Sequence, residues 1–304
     1  MSPPRLNIIG AGRLGQTLGL LWRRGGALRI GAICNRSVDS AQRAAQLIGA
    51  GQPLDDPRQL PSAELTLIAT PDAAIAAAAA RLAECAPIAA GQVVFHASGA
   101  LPAERLAPLR ERGALLASVH PIRAFAEPLA AAEGFAPTFC GCEGDAAALD
   151  VLRPLFAAIG AECLDIDAAR KPLYHAAAVL ASNYLVGLVD LALDAYAAAG
   201  LERADARRLL APILAGTLEN VARRDTAAAL TGPVARGDAA TVAAQLAALG
   251  DWSGDAAALY ALLGRRLLDL AARQGGADEA DLTRIGALFD EQLPDEQWRS
   301  DSRS

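Results

Sequence analysis

Lysine is almost missing from this chain. Among 28 Lys and Arg residues in 304, Lys171 is the single lysine, so nearly every other cation is a guanidinium. Only an amine readily changes protonation when buried, which makes Lys171 a candidate for chemistry that Arg cannot perform. The alternative is a chance survivor on a solvated face. Histidine is scarce as well, with three residues in all. An excess of positive charge is also lacking. The formal net charge of −6 and a pI near 5.2 leave no basic field, which argues against nucleic acid as a partner. The five cysteines (Cys34, Cys85, Cys140, Cys142 and Cys163) are odd in number and scattered. No second closely spaced Cys or His pair accompanies Cys140 and Cys142, so no metal site is expected, and the thiols read as small core residues in a reducing compartment. No basic segment followed by an apolar one opens the chain, so the expected location is cytoplasmic. Two apolar stretches fall short of a clean membrane span. Residues 73–90 are interrupted by Arg81, Glu84 and Pro87, and residues 176–189 contain Asn183 between His175 and Asp190. Both read as buried helices.

Hydrophobic residues make up 53% of the sequence, enough for a large core, and the length favours two domains. Apolar runs at 6–9, 29–34, 65–69, 93–96, 115–119, 136–142 and 162–166 read as strands, separated by helical patterns. Alternation of this kind implies right-handed crossovers and a mainly parallel, doubly wound sheet. After Asp167 only helices follow, at about 171–199, 203–223, 226–230, 238–249, 254–273 and 279–291. The expected architecture is α/β, with a Rossmann domain over 1–167 and an all-α domain over 168–292. Residues 293–304 are polar and aperiodic and read as a mobile tail.

The first turn is Gly10-Ala11-Gly12-Arg13-Leu14-Gly15, placed after a strand and at the opening of a helix. In that context the three glycines serve a tight turn, close approach of backbone to a pyrophosphate, and helix-to-strand packing, which predicts dinucleotide binding. The second strand ends in Asn35-Arg36-Ser37 instead of the acidic residue that would accept from the ribose hydroxyls of NAD. A guanidinium between small polar donors suits a 2′-phosphate, so NADP is the expected cofactor. Arg13 either adds to that anion site or points to solvent. Ligands lie outside the carboxyl ends of the strands, where this sequence places Ala69-Thr70-Pro71-Asp72, His96, Ser98-Gly99 and His120-Pro121. Ala69, Thr70, Pro71 and Ser98 are expected beside the cofactor; His96 and His120 are expected to meet the substrate or to bond locally.

Lys171-Pro172-Leu173-Tyr174-His175 opens the first long helix. At about 100° per residue, Lys171 and His175 lie about 40° apart and Ser182 within about 20° of both; Asn183 projects about 80° from His175. This polar face predicts a catalytic set of Lys171, His175, Ser182 and Asn183 in an interdomain cleft, or a set of structural hydrogen bonds. Later, Thr231-Gly232-Pro233-Val234-Ala235-Arg236-Gly237-Asp238 forms a turn in which Asp238 N-caps the next helix. Arg236 is a candidate clamp for a substrate carboxylate.

Taken together, the glycine turn, Asn35-Arg36-Ser37, His96-Ala97-Ser98-Gly99, His120-Pro121, the Lys-x-x-Tyr-His helix with Ser182-Asn183 and the 231–238 turn resemble one family. These are the Rossmann-like proteins that carry a helical domain of unknown function. The resemblance covers about residues 5–250 and looks like a branch of the group containing 6-phosphogluconate dehydrogenase, β-hydroxyacid dehydrogenases, ketopantoate reductase and pyrroline-5-carboxylate reductase. It implies that Lys171 is an acid or base, as the Lys at the start of the first long helix is in hydroxyacid dehydrogenases. His175 stands where those enzymes have Asn, which leaves the substrate class open. The resemblance also implies a homodimer formed through the helical domain. The expected activity is NADP(H)-dependent oxidation or reduction of a small anionic carbonyl or hydroxy compound, with Lys171 or His175 as proton donor. The alternatives are a reductase of cyclic imines and an NADP(H)-binding sensor without turnover.

Overall fold

The structure, a computed structural model, describes residues 2–293. The expected tail lies almost wholly outside the described residues. Eight strands form one sheet: β1 (Arg5–Ile9), β2 (Arg29–Cys34), β3 (Gln52–Leu54), β4 (Leu65–Ile68), β5 (Val93–His96), β6 (Leu115–Pro121), β7 (Thr138–Gly144) and β8 (Ala161–Asp165). Their order is β3-β2-β1-β4-β5-β6-β7-β8, and every neighbouring pair is parallel except β6 with β7. The order reverses direction between β1 and β4, which opens the ligand crevice of a doubly wound sheet at their carboxyl ends. The short β3 was not foreseen, because its three residues Gln52, Pro53 and Leu54 carry no periodicity.

Helices cover both faces. On one side α1 (Arg13–Gly25), α2 (Val38–Ile48) and α6 (Ala146–Ala157) bury Leu18, Trp22, Ile48, Leu152 and Phe156 against Leu6, Ile8 and Phe95. Trp22 meets Phe95 and Phe156 edge to face, and its indole N–H donates to the Leu155 carbonyl at 2.8 Å, so the ring is buried with its polar atom satisfied. On the other side α3 (Asp72–Cys85) and α4 (Ala107–Arg110) bury Ile75, Leu82 and Leu109 against Ile68 and Val94. Between β5 and β6 the chain forms a short 3₁₀ turn, Ala103–Leu106, that leads into the single turn of α4. A further short helix, α5 (Pro128–Glu133), is held by Glu127, whose carboxylate accepts from the Leu129 and Ala130 N–H groups.

The chain divides into two compact units, Met1–Ser182 and a second from Asn183 onward. The first therefore includes α7 (Lys171–Ala181), which sequence periodicity grouped with the later helices. The single helix expected over 171–199 is broken: Ser182 leaves helical geometry and α8 (Asn183–Ala198) begins anew. Neither is a buried helix. The 31 residues Ala168–Ala198 are apolar and long enough to cross a membrane, yet few are buried; Leu173, Tyr184 and Val186 are 69%, 66% and 70% exposed. Length and composition alone cannot separate a core helix from an apolar helix with an uncovered face, because both satisfy the same hydropathy pattern.

In the second unit α9 (Arg203–Arg223), α10 (Thr226–Ala229), α11 (Ala239–Trp252), α12 (Gly254–Gln274) and α13 (Glu279–Gln292) follow α8. Val242, Leu246, Ala261, Ile285 and Phe289 form the core of α11–α13, and Leu193, Ala206 and Leu210 pack α8 against α9. A cavity of about 330 Å³ opens among Leu188, Ala192, Val234, Trp252, Leu263 and Phe289. Its lining is almost wholly apolar, with the Tyr260 and Thr231 hydroxyls the exceptions, and it carries no carboxylate, imidazole or thiol.

Candidate active site

The glycine turn has the geometry its spacing predicts. Gly10 sits at φ +78°, a conformation that favours glycine, and a Cβ there would lie 2.5 Å from Thr70 Cγ2. Gly12 is the N-cap of α1, and no atom lies nearer than 4.0 Å to where its Cβ would be. A Cβ on Gly15 would press on Ala69 and Ile8, at 3.1 and 3.4 Å. No side chain caps α1, so its first N–H groups face outward, the arrangement that receives a pyrophosphate. Asn35 has a different task from the one expected. Its side-chain oxygen accepts the Ala11 N–H at 2.7 Å and its amide donates to Ser40 Oγ at 3.0 Å, so it holds the turn in shape. Ser37 caps α2 by accepting the Ser40 N–H. Arg36 is exposed at the end of β2, as is Arg13 at the start of α1. Leu14 and Ala69 are partly buried, and Pro71 is the N-cap of α3, which likewise has no side-chain cap.

Ser98 and His96 are committed to the loop after β5. His96 is wholly buried; Nδ1 accepts the Ser98 N–H at 3.1 Å, and Nε2 lies 3.1 Å from the Pro102 carbonyl. Both nitrogens are engaged, so His96 has none for a substrate. Burial pushes its pKa down to about 4, and the ring is neutral, with its proton on Nε2. Ser98 Oγ donates to Asp72 at 2.8 Å and accepts from the Ala100 and Leu101 N–H groups. These bonds bring Gly99 to the sheet edge in a fixed position.

Strand register explains what gathers around Gly99. His96 pairs with Ser118, and Ser118 with Glu143, so three polar side chains form a row across β5, β6 and β7 on one face of the sheet. Lys171, the first residue of α7, extends into that row. Its ammonium donates to Ser118 Oγ at 2.5 Å and pairs with Glu143 at 3.1 Å, with no exposed surface at all. Glu143 also accepts the Ala103 N–H at 2.8 Å. Burial lowers the lysine pKa and the Glu143 carboxylate opposes the shift. In this geometry Lys171 is an enclosed partner of Glu143.

Anchored in this way, α7 places its next two polar residues two strand positions along. His120 pairs in register with Gly141, whose missing side chain makes room for the Tyr174 ring: a Cβ there would lie 2.5 Å from the phenol oxygen. The Tyr174 hydroxyl lies 3.0 Å from His120 Nδ1, within hydrogen-bond distance. A hydroxyl that donates to Nδ1 would leave the His120 proton on Nε2. Burial raises the Tyr174 pKa to about 12 and lowers that of His120 to about 4, with His175 adding to the latter effect, so both are neutral near pH 7. The His175 and His120 rings meet edge to face at 5.8 Å. A Cβ on Gly99 would stand 2.5 Å from His175 Nδ1 and 2.9 Å from His120 Nε2, so only glycine lets the two imidazoles converge there. Among the described residues, two buried side-chain polar atoms have no hydrogen-bond partner: His175 Nδ1 and Thr70 Oγ1. One lies over Gly99 and the other against the glycine turn. A buried polar atom without a partner is costly, and a ligand at this sheet edge supplies one.

The structure therefore brings together His120, His175 and the buried Lys171, but not the whole set expected. Ser182 and Asn183 are exposed at the break after α7, with Ser182 two turns and about 10 Å along the axis from His175. Ser182 Oγ donates to the Ala178 carbonyl at 2.7 Å. Arg236 is exposed in the second unit, on the turn where Asp238 caps α11 through the Thr241 N–H and hydroxyl. Tyr174, Gly99, Ser118 and Glu143 went unassigned in the sequence. Tyr174 stood inside the recognised Lys-x-x-Tyr-His string, but its role depends on Gly141, which only strand register reveals.

Comparison with known proteins agrees with this architecture. Residues 1–121 match a Rossmann-like domain, and residues 138–267 match a domain of unknown function (DUF2520), which begins at β7 and so takes in Glu143 and α7. Among solved structures, TM1727 from Thermotoga maritima is 26% identical with a TM-score of 0.71, over 88% of this chain and 99% of its own. BF3122 from Bacteroides fragilis, a provisionally assigned NADP oxidoreductase, is 22% identical with a TM-score of 0.69, over 87% and 98%. A pyrroline-5-carboxylate reductase from Coxiella burnetii shares the fold at 13% identity and a TM-score of 0.56, over 95% and 98%. No curated protein matches the sequence. The chain combines a Rossmann-like domain with a DUF2520 domain, as its motifs in combination suggested.

Proposed function

We propose that this chain is an NADP(H)-dependent oxidoreductase acting on the carbonyl or hydroxyl group of a small molecule, with His175 and His120 managing the proton. The observation that carries the reading is the convergence of His175 Nδ1 and His120 Nε2 over Gly99, on the same sheet edge as the glycine turn. The Gly10–Gly15 turn and the uncapped start of α1 would hold the pyrophosphate, and Arg36 the 2′-phosphate; Thr70 borders the same crevice. The bound nicotinamide supplies or takes up hydride. As a carbonyl oxygen gains negative charge it needs donors and then a proton. His120, held by Tyr174 with a proton on Nε2, is a neutral donor, and His175 is the proton carrier. Lys171 is a positioning residue, since it fixes the start of the helix that carries both Tyr174 and His175. A cyclic imine is the alternative electrophile, for which the fold likeness to pyrroline-5-carboxylate reductase argues, because an imine nitrogen accepts a proton from the same donors.

Arg36 tests the cofactor part. Titration of cofactor fluorescence should show NADPH bound more tightly than NADH by about tenfold or more, the scale of one charge-assisted contact. Arg36→Asp should abolish that preference. Equal affinities in the parent protein would overturn the NADP assignment.

We also propose that a second copy of the chain covers the apolar face of α8 and α9. Tyr184, Val186, Ile213 and Leu218 are each more than half exposed on these two helices. The Asp190 and Asp194 carboxylates beside it are paired with Arg203, which suits a water-flanked protein interface better than lipid. A cytoplasmic location accords with five free thiols.

A further inference from the structure

The two faces of β7 are chemically distinct. Gly141 and Glu143 face α7, whereas Cys140 and Cys142 face α6, as the two-residue repeat of a strand requires. Cys163 on β8 is the register partner of Cys140, so three of the five thiols share one face at the edge of the sheet. Cys140 and Cys142 have no exposed surface, whereas Cys163 is partly accessible.

We propose that Cys163, Cys140 and Cys142 form an oxidisable thiol site, in which Cys163 reacts with hydrogen peroxide and Cys140 resolves the product as an intramolecular disulfide. In the first step the Cys163 thiolate attacks one peroxide oxygen. An S–O bond forms, the O–O bond breaks, and the leaving hydroxide takes up a proton to become water, which leaves a sulfenic acid on Cys163. In the second step the Cys140 sulfur attacks the Cys163 sulfur. The S–S bond forms, the S–O bond breaks, and the departing hydroxide takes the Cys140 proton as a second water. Two thiols are oxidised by two electrons in total, and one peroxide is reduced to two waters.

Three features support this assignment. Register partners on adjacent parallel strands have Cα atoms about 5 Å apart, inside the range a disulfide spans. β8 is the last strand of the sheet, with no neighbour beyond it to resist the adjustment. The charged surroundings favour thiolate at Cys163. The neighbouring Cys140 and Cys142 thiols lower its pKa, and the Arg153 guanidinium on α6 adds to this, against burial and the Asp165 carboxylate on β8 to which Arg153 is paired. The same contacts keep Cys140 and Cys142 protonated. Because Gly141, between the two buried cysteines, packs against Tyr174, oxidation would also act on the strand that holds His120's partner.

The internal comparator is Cys85, partly exposed but outside the cluster. Reduced protein, freed of reductant, is treated with one equivalent of hydrogen peroxide and mapped by mass spectrometry of a non-reducing digest. The expected product is the Cys140–Cys163 cross-linked peptide, formed while Cys85 remains reduced. Iodoacetamide at pH 6 should label Cys163 about tenfold or more faster than Cys85, since the thiolate is the nucleophile. In Cys140→Ser, dimedone should trap a sulfenic acid on Cys163, or the cross-link should move to Cys142. Equal labelling of Cys163 and Cys85 in the unmodified protein, or oxidation of Cys163 without any cross-link to the cluster, would overturn the proposal.

Discussion

His96 and His120 are two of three histidines, and both end strands, yet they serve different ends. His96 is consumed by the loop it holds, with both ring nitrogens bonded, whereas His120 has one nitrogen fixed by Tyr174 and the other facing Gly99. A sequence places both at the functional edge but cannot say where the ring nitrogens point, because that depends on a loop whose bonds fall two and six residues on for His96 and on a distant helix for His120. The buried state of His96 has a measurable consequence. Its pKa lies near 4 in the fold against an ordinary 6.5, so between those values the unfolded chain binds the extra proton. Stability is full above about pH 6.5 and falls as pH drops toward 4, by up to roughly 1.4 kcal/mol per pH unit. His120 adds in the same direction. Urea unfolding at pH 7 and pH 4.5 should show this loss, and His96→Asn, which keeps an acceptor for the Ser98 N–H, should reduce its slope. An unchanged slope in the variant would remove His96 from the account.

The lone lysine matters at the level of elements more than at that of reaction chemistry. Lys171 joins α7 to β6 and β7 through Ser118 and Glu143 and so sets where Tyr174 and His175 emerge. Its rarity in the sequence marked it correctly as unusual; its counterion was illegible, since nothing in composition selects Glu143 from 34 acidic residues. The alternation along β7 hints that Glu143 opposes the cysteine face, but whether that face is covered is a tertiary fact. Lys171→Met leaves the Glu143 carboxylate buried without its cation and should destabilise the protein by about 3–5 kcal/mol. The double variant Lys171→Met, Glu143→Leu should recover much of that loss in urea unfolding. If the single variant costs less than about 1 kcal/mol, the pair does not anchor α7. The backbone of the glycine turn, by contrast, was legible, because the strand–turn–helix unit that fixes Gly10 and Gly15 is local in sequence.

For the whole molecule, strand-helix alternation was enough to read the doubly wound sheet, as each strand and its following helix form one local unit. The break at Ser182 and the exposure of α8 were not legible, because the apolar helical pattern runs on through residue 182 and hydropathy does not distinguish a covered face from an exposed one. Sedimentation velocity at micromolar concentration should give a species of twice the 31.3 kDa chain mass, and Val186→Arg with Ile213→Arg should return it to the monomer. A monomer in the parent protein would reject the proposed interface. The central claim is catalytic, and it rests on His175 and His120 over Gly99. The direct measurement is loss of NADPH absorbance with a panel of 2-keto acids, aldehydes and cyclic imines, run on the parent protein and on His175→Asn. The account predicts turnover of at least one class, and a fall in kcat of about a hundredfold or more in His175→Asn, with NADPH affinity unchanged. No turnover of any class would point to a cofactor-binding sensor, and turnover of His175→Asn at the parent rate would contradict the site itself.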